Sequence, residues 1–162
     1  MEKYSNNYHF RAPDKIKISK ESKSLFLAGS IEMGAAENWQ DKIVLDLESE
    51  YMVTILNPRR EDWDSSWVQS INEPKFYEQV TWELNSLEKA GVIAMYFDPN
   101  TKSPISLLEL GLYASSGKLV VYCPDGFYRK GNVDIVCRKY GIPVHINYDT
   151  WLINIKNKLN SI

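Results

Sequence analysis

Apolar residues in this chain come in short unbroken runs rather than in alternation with polar ones. Ser24-Leu-Phe-Leu-Ala-Gly29, Met52-Val-Thr-Ile-Leu56, Val92-Ile-Ala-Met-Tyr-Phe97 and Lys118-Leu-Val-Val-Tyr122 each read as a strand buried on both faces, with a shorter fifth at Pro143 to Ile146. Between them the spacing predicts helices at Asn38 to about Tyr51, Phe76 to Lys89, Pro104 to Ala114, near Val133 to Tyr140, and from Asp149 onward. The first rests on Trp39, Ile43, Leu45 and Leu47, with Asn38 placed to cap it. Asn57-Pro58 stops the second strand and opens a long polar loop through Pro74. Strands alternating with helices predict an α/β fold, namely a doubly wound, flavodoxin-like five-stranded parallel sheet with helices on both faces. Residues 1–22 are polar and aperiodic, and are expected to form a flexible or loosely docked N-terminal arm to a single domain over 23–162. Ligands of such sheets bind outside the carboxyl ends of the strands, which singles out the loops Gly29-Ser30, Asn57 to Pro74, Asp98 to Ser103 and Cys123 to Asn132.

The helix from Pro104 holds one carboxylate in a run that is otherwise apolar or small. At about 100° per residue, Ile105, Leu107, Leu108, Leu110, Leu112 and Ala114 cover most of its surface, so the helix is expected to be largely buried. Glu109 falls on the remaining narrow stripe with Ser106, Tyr113 and Ser116, and no Lys or Arg stands at its helical neighbours. That leaves two readings open, a plain surface Glu and a site carboxylate. On the helix from Phe76, the expected core face is Phe76, Val80, Leu84 and Leu87, with Glu83 at its edge and Glu78 and Glu88 pointing elsewhere. A Glu there either snorkels to water or faces the crevice. Two carboxylates in unlike environments can divide acid and nucleophile roles.

Composition narrows the classes. The chain has 162 residues, 44% of them hydrophobic and 25% charged, which suits one globular domain with a real core. A net charge of −2 offers no basic surface for a nucleic-acid polymer or an anionic membrane. No signal peptide and no long apolar run is present, so the expected location is cytoplasmic. Cys123 and Cys137 lack metal-type spacing and read as buried reduced thiols, while His9 and His145 are isolated; no metal site and no cofactor is expected. Aromatic residues crowd into Trp63 to Trp82, a hint of a flat ligand or an aromatic subunit interface. Gly29 permits close backbone approach and Ser30 offers a hydroxyl to a phosphate or sugar oxygen, although an ordinary strand-to-helix turn explains the pair equally simply. Asn57-Pro-Arg-Arg60 is either an anion or base contact or solvated charge, and Asn132 is either a helix cap or an amide donor to the site.

Taken together, these residues resemble the nucleoside 2-deoxyribosyltransferase family and its relatives, the 2′-deoxynucleoside 5′-phosphate N-hydrolases, over about Ser24 to Tyr148. The carriers are Leu27-Ala-Gly-Ser-Ile31, Trp82-Glu83-Leu84 and, above all, Leu108-Glu109-Leu-Gly-Leu-Tyr-Ala114. Gly131-Asn132-Val133 and Asn57-Pro-Arg-Arg60 add to them, the latter resembling one transferase-like branch. The resemblance implies Glu109 as covalent nucleophile toward C1′ of a deoxyribonucleoside and Glu83 as the acid that positions or protonates the base. It implies Asn132 reaching a neighbouring subunit's sugar hydroxyl, hence a homo-oligomer with a shared active site. Tyr113 would join Glu109 in the crevice floor, and Phe26 stands where some members carry a Tyr. Transferases keep an acid six residues before the nucleophile; Ser103 stands there, as in the phosphate hydrolases, where a Ser binds phosphate together with the Ser that matches Ser30. Arg59 would join that phosphate set, and Asp98 lies near enough to replace the missing acid. The leading expectation is transfer of deoxyribose from a nucleoside to a free nucleobase. Hydrolysis of a deoxynucleoside 5′-monophosphate is the alternative, and a catalytically silent nucleotide-binding module the non-enzyme rival.

Overall fold

Strands that carry no polar face must be covered on both sides, and the computed structural model, which describes residues 9–18, 22–31, 36–48 and 53–162, shows how. The elements run β1 (His9–Arg11), β2 (Lys23–Gly29), α1 (Trp39–Glu48), β3 (Val53–Asn57), α2 (Pro74–Lys89), β4 (Val92–Tyr96), α3 (Pro104–Tyr113), β5 (Leu119–Tyr122), α4 (Lys130–Tyr140), β6 (Val144–His145) and α5 (Tyr148–Asn160). All strand pairs are parallel, in the order β1-β3-β2-β4-β5-β6. The fold is a doubly wound, flavodoxin-like α/β sheet, and its switch point lies between β2 and β4.

Successive residues of each central strand feed opposite cores. Phe26, Ala28, Ile93, Met95, Leu119 and Val121 pack with Trp82, Leu87, Leu110, Val133 and Cys137, so α2, α3 and α4 cover one face. Leu25, Leu27, Val92, Ala94 and Val120 pack with Trp39, Ile43, Trp151 and Ile155, so α1 and α5 cover the other. Cys123 and Cys137 are buried free thiols.

The sheet has six strands where five were expected. The extra strand, His9–Arg11, lies within the segment read as an arm and pairs with the open edge of β3. Its fixings are main-chain pairing and scattered side-chain contacts, neither of which leaves a periodic trace. Ala12 N–H donates to the Asn57 carbonyl, Arg11 pairs with Asp41 and Glu61, and Trp82 Nε1 donates to the Asp14 carbonyl. Residues 1–8 and 19–21 of that segment lie outside the described residues, as do Met52 and the expected end of α1 at 49–51.

Three helices differ in phase from the expected faces. On α1, Leu45 is 68% exposed and Val44 takes its place in the core; Asn38 does cap the helix, accepting from Asp41 N–H at 3.3 Å. On α2 the buried residues are Gln79, Trp82, Ser86 and Leu87, while Leu84 is 43% exposed. Polar groups can hold this face because each is satisfied: Ser86 Oγ donates to the Trp82 carbonyl, and Gln79 Nε2 to the Pro58 carbonyl. The rotation carries Glu83 from the edge of the face to its middle, one turn after Gln79. On α3 the expected pattern is inverted. Ser106, Glu109 and Leu110 are buried, and Ile105, Leu108 and Leu112 are 59%, 60% and 56% exposed. Finally, α4 begins at Lys130 with Arg129 as its N-cap, so Asn132 lies inside the helix and caps nothing.

At the end of β2 the backbone of Gly29 turns at φ +147°, and a Cβ there would overlap the Tyr96 carbonyl oxygen of β4. Gly29→Ala is therefore expected to cost at least about 2–3 kcal/mol, read as a lower urea midpoint at unchanged slope.

Candidate active site

The switch point between β2 and β4 opens onto a cluster of three hydroxyls. Ser30, fully buried just past Gly29, is held by its own N–H to the Tyr96 carbonyl (2.9 Å), and its carbonyl accepts from Trp39 Nε1 (3.0 Å). Its Oγ accepts Asp98 N–H at 2.9 Å and lies 2.8 Å from Thr101 Oγ1 and 2.5 Å from Ser103 Oγ. Thr101 and Ser103 close the triangle at 2.8 Å. Ser103 precedes α3 in the left-handed region (φ 47°, ψ 54°), the only non-glycine residue at positive φ among those described. Its side chain accordingly faces the other hydroxyls and makes no capping bond to the helix. Thr101 was absent from the expected site. It sits in the turn signalled by Asp98-Pro-Asn, and only the fold brings it to Ser30.

Asp98 is buried at the same crevice but is already engaged. One carboxylate oxygen accepts Asn100 N–H (2.8 Å) and the other Glu37 N–H (3.3 Å). Its role here is to hold the loop after β4. Asn57 is likewise tied, with Oδ1 accepting Arg59 N–H (3.0 Å) and Nδ2 against His9 Nε2 (3.3 Å). Arg59 is half-buried and donates to Gln40 Oε1 at 3.2 Å. The neighbouring Arg60, read from the sequence only as part of the Asn57-Pro-Arg-Arg60 loop, is the buried guanidinium of the pair.

Glu109 and Glu83 form the electrostatic centre. Glu109 projects from α3 beneath the crevice and is 7% exposed; it stands about 9 Å along the helix from Ser103 at 1.5 Å per residue. Burial pushes its carboxyl up to about 8, and the negative charge of Glu83 adds to the effect. Burial also raises Glu83, to about 7, opposed by the hydrogen bond that Gln79 donates. Among the described residues neither carboxylate takes part in an ion pair. Both carboxyls are therefore raised toward neutrality, and the charge of Glu83 disfavours ionisation of Glu109. Tyr113, one turn after Glu109, is half-buried, and burial, with the negative charges of Glu88 and Glu109, raises its hydroxyl above the usual tyrosine range.

Asn132 is not brought to this pair. It is exposed, and with Arg129, Val133 and Val136 it lines a cavity of about 290 Å³ whose α3 wall is Leu107, Leu110 and Gly111. Among the described residues no cluster of His, Cys, Asp and Glu is arranged to hold a metal ion, and no helix is long and apolar enough to cross a membrane.

A parallel doubly wound sheet with a hydroxyl cluster at its switch point is the frame in which α/β proteins bind small molecules. A family profile described as "nucleoside 2-deoxyribosyltransferase like" matches residues 22–127, a span that holds Ser30, Glu83, Ser103 and Glu109, and the chain belongs to this family. No curated protein matches it significantly.

The raised carboxyl has a consequence for stability. Because Glu109 is lifted from 4.5 to about 8 on folding, its stabilising contribution is complete below about 4.5 and is lost as pH rises through about 8. Glu109→Gln should thus melt close to the parent near pH 5 and above it near pH 9, each kcal/mol being worth about 2–4 °C for a chain this size. Calorimetry of both proteins across that range checks it.

Proposed function

We propose that this protein is an N-glycosyl transferase acting on 2′-deoxynucleosides, with Glu109 as nucleophile and Glu83 as acid. The observation that carries this reading is the buried Glu109 with the half-buried Glu83, two raised carboxyls that take part in no ion pair among the described residues. The family supports a nucleoside-type substrate.

In the first half-reaction a Glu109 oxygen bonds to C1′ as the C1′–N bond breaks. The bonding electron pair leaves with the base, which takes the proton from Glu83. Positive charge developing at C1′ favours the anion of Glu109, so the proton that the pair shares settles on Glu83, where the leaving base needs it. In the second half a nitrogen of an incoming base attacks C1′, its proton returns to Glu83, and Glu109 is released.

A second reading, hydrolysis of a deoxynucleoside 5′-monophosphate, is favoured by one feature. The Ser30–Thr101–Ser103 triangle lies at the N-terminus of α3, where hydroxyl donors and the helix dipole suit a phosphate. Arg59 stands on the β3 side of the crevice as a further anion contact. Incubation with deoxynucleoside or its monophosphate, with and without a second base, separates the readings. New nucleoside only with acceptor supports transfer; free deoxyribose 5-phosphate regardless of acceptor supports hydrolysis. Glu109→Gln is expected to abolish either, by at least about 10³-fold, with ligand binding retained. Parental binding with no turnover of any substrate would leave a silent nucleotide-binding module.

The reading also includes a cytoplasmic homo-oligomer that shares its sites. The outward face of α3, Ile105, Leu108 and Leu112, continues into the exposed Tyr128 and Ile135 around α4 and would be covered by a second copy. That copy would bring Asn132 to its neighbour's sugar. Leu108→Asp is expected to give monomers by light scattering together with loss of turnover, whereas Glu109→Gln keeps the oligomer.

A further inference from the structure

Glu83 is held by a chain of groups that reaches back to the loop after β3. Gln79 Nε2 donates to Glu83 Oε1 at 2.6 Å and to the Pro58 carbonyl at 3.0 Å, and Gln79 Oε1 faces Arg60 Nη1 at 3.4 Å. The orientation of this amide is decided by elementary inventory. A carbonyl oxygen only accepts and a guanidinium only donates, so flipping Gln79 would set oxygen against oxygen and NH₂ against N–H. The NH₂ group must therefore face Glu83, and Glu83 Oε1 must accept.

We propose that Gln79 is a positioning residue for the acid: it occupies Glu83 Oε1 so that any proton on this carboxyl sits on Oε2, with Arg60 and the Pro58 carbonyl setting the amide. The role of Glu83 as acid rests on the function proposed above. The hydrogen-bond geometry around Gln79 does not.

Arg60 is built as an anchor. Its side chain is 1% exposed, with Nε and Nη2 on the two oxygens of Asp62 (2.9 and 3.0 Å) and Nη1 also 3.3 Å from Glu78 Oε1. The face of Trp67 lies 5.1 Å from the guanidinium. Asp62 and Glu78 thus neutralise the cation where it lies, and only the neutral amide continues to Glu83. This matters chemically. A Lys or Arg at position 79 would pin the oxygen equally well but would drive Glu83 to its anion and remove the proton that the leaving base requires. An amide orients without importing charge.

The test compares the parent with Gln79→Met, which keeps the length of the side chain and removes its hydrogen bonds, and with Gln79→Asn, which keeps the amide but retracts it by one methylene. Gln79→Asn also serves if the methionine variant does not fold. The first readout is the titration of the Glu83 carboxyl carbon by NMR, assigned with Glu83→Gln. Its midpoint should rise in both variants, since the lost N–H favoured the anion; an unchanged midpoint overturns the proposal. The second readout is kcat on a deoxynucleoside against a deoxyriboside whose leaving group departs without a proton. The expected loss is about 10- to 100-fold on the first and none on the second. Equal losses would mean that Gln79 serves only the fold. If the parent cleaves neither substrate, the functional reading fails, and the titration alone still decides whether Gln79 holds Glu83.

Discussion

The rest of the site depends on one costly arrangement, the burial of the Glu109 carboxyl with the half-buried carboxyl of Glu83 acting on it. An ionised carboxylate taken out of water without a counter-charge is strongly disfavoured, and a second one beside it more so. Among the described residues no Lys or Arg pairs with either group, and burial lifts Glu83 to about 7 and Glu109 to about 8. A cation would have favoured both anions and lowered the two carboxyls. In its absence the pair is poised where a small change in nearby charge moves a proton between the two groups.

That choice dictates the orientation of α3. A helix carrying Ile105, Leu107, Leu108, Leu110 and Leu112 would gain about 1.5–3 kcal/mol for each side chain it buried fully. Three of these five remain largely exposed, while Ser106 and Glu109 take positions in the interior. The helix therefore turns Ser106 and Glu109 inward beside Leu110, at a cost in burial as well as in desolvation. Local inconsistency of this kind is what a functional site looks like in the pattern of a fold.

Much of the architecture was legible because continuous apolar strands have few alternatives. β2, β4 and β5 each stand within a residue or so of their expected bounds, and the loops at their carboxyl ends are those that meet at the switch point. The phases of α2 and α3 were not legible, for a shared reason. Hydrophobic periodicity assumes that apolar residues choose the interior, and here Gln79, Ser86 and Glu109 do so instead: Gln79 is held by Pro58 and Arg60, distant in sequence, Ser86 by the Trp82 carbonyl of its own helix, and Glu109 keeps its place with a raised carboxyl. β1 escaped because three residues of edge pairing need no pattern. The burial of Arg60 and the place of Thr101 escaped because nothing local separates a buried Arg from a solvated one, or a turn Thr from a site Thr. Glu109 stood out for the converse reason, a lone charge with no helical neighbour to satisfy it.

Ser103 draws these constraints together. A non-glycine residue held at φ 47° costs about 1–2 kcal/mol, and in the same step its side chain gives up the capping bond to the helix that it begins. What it gains is a hydroxyl turned into the triangle with Ser30 and Thr101, both of which come from loops that end neighbouring strands. Removing that hydroxyl would leave the strain and forfeit the contact. The strain is therefore a property of the crevice rather than of the helix.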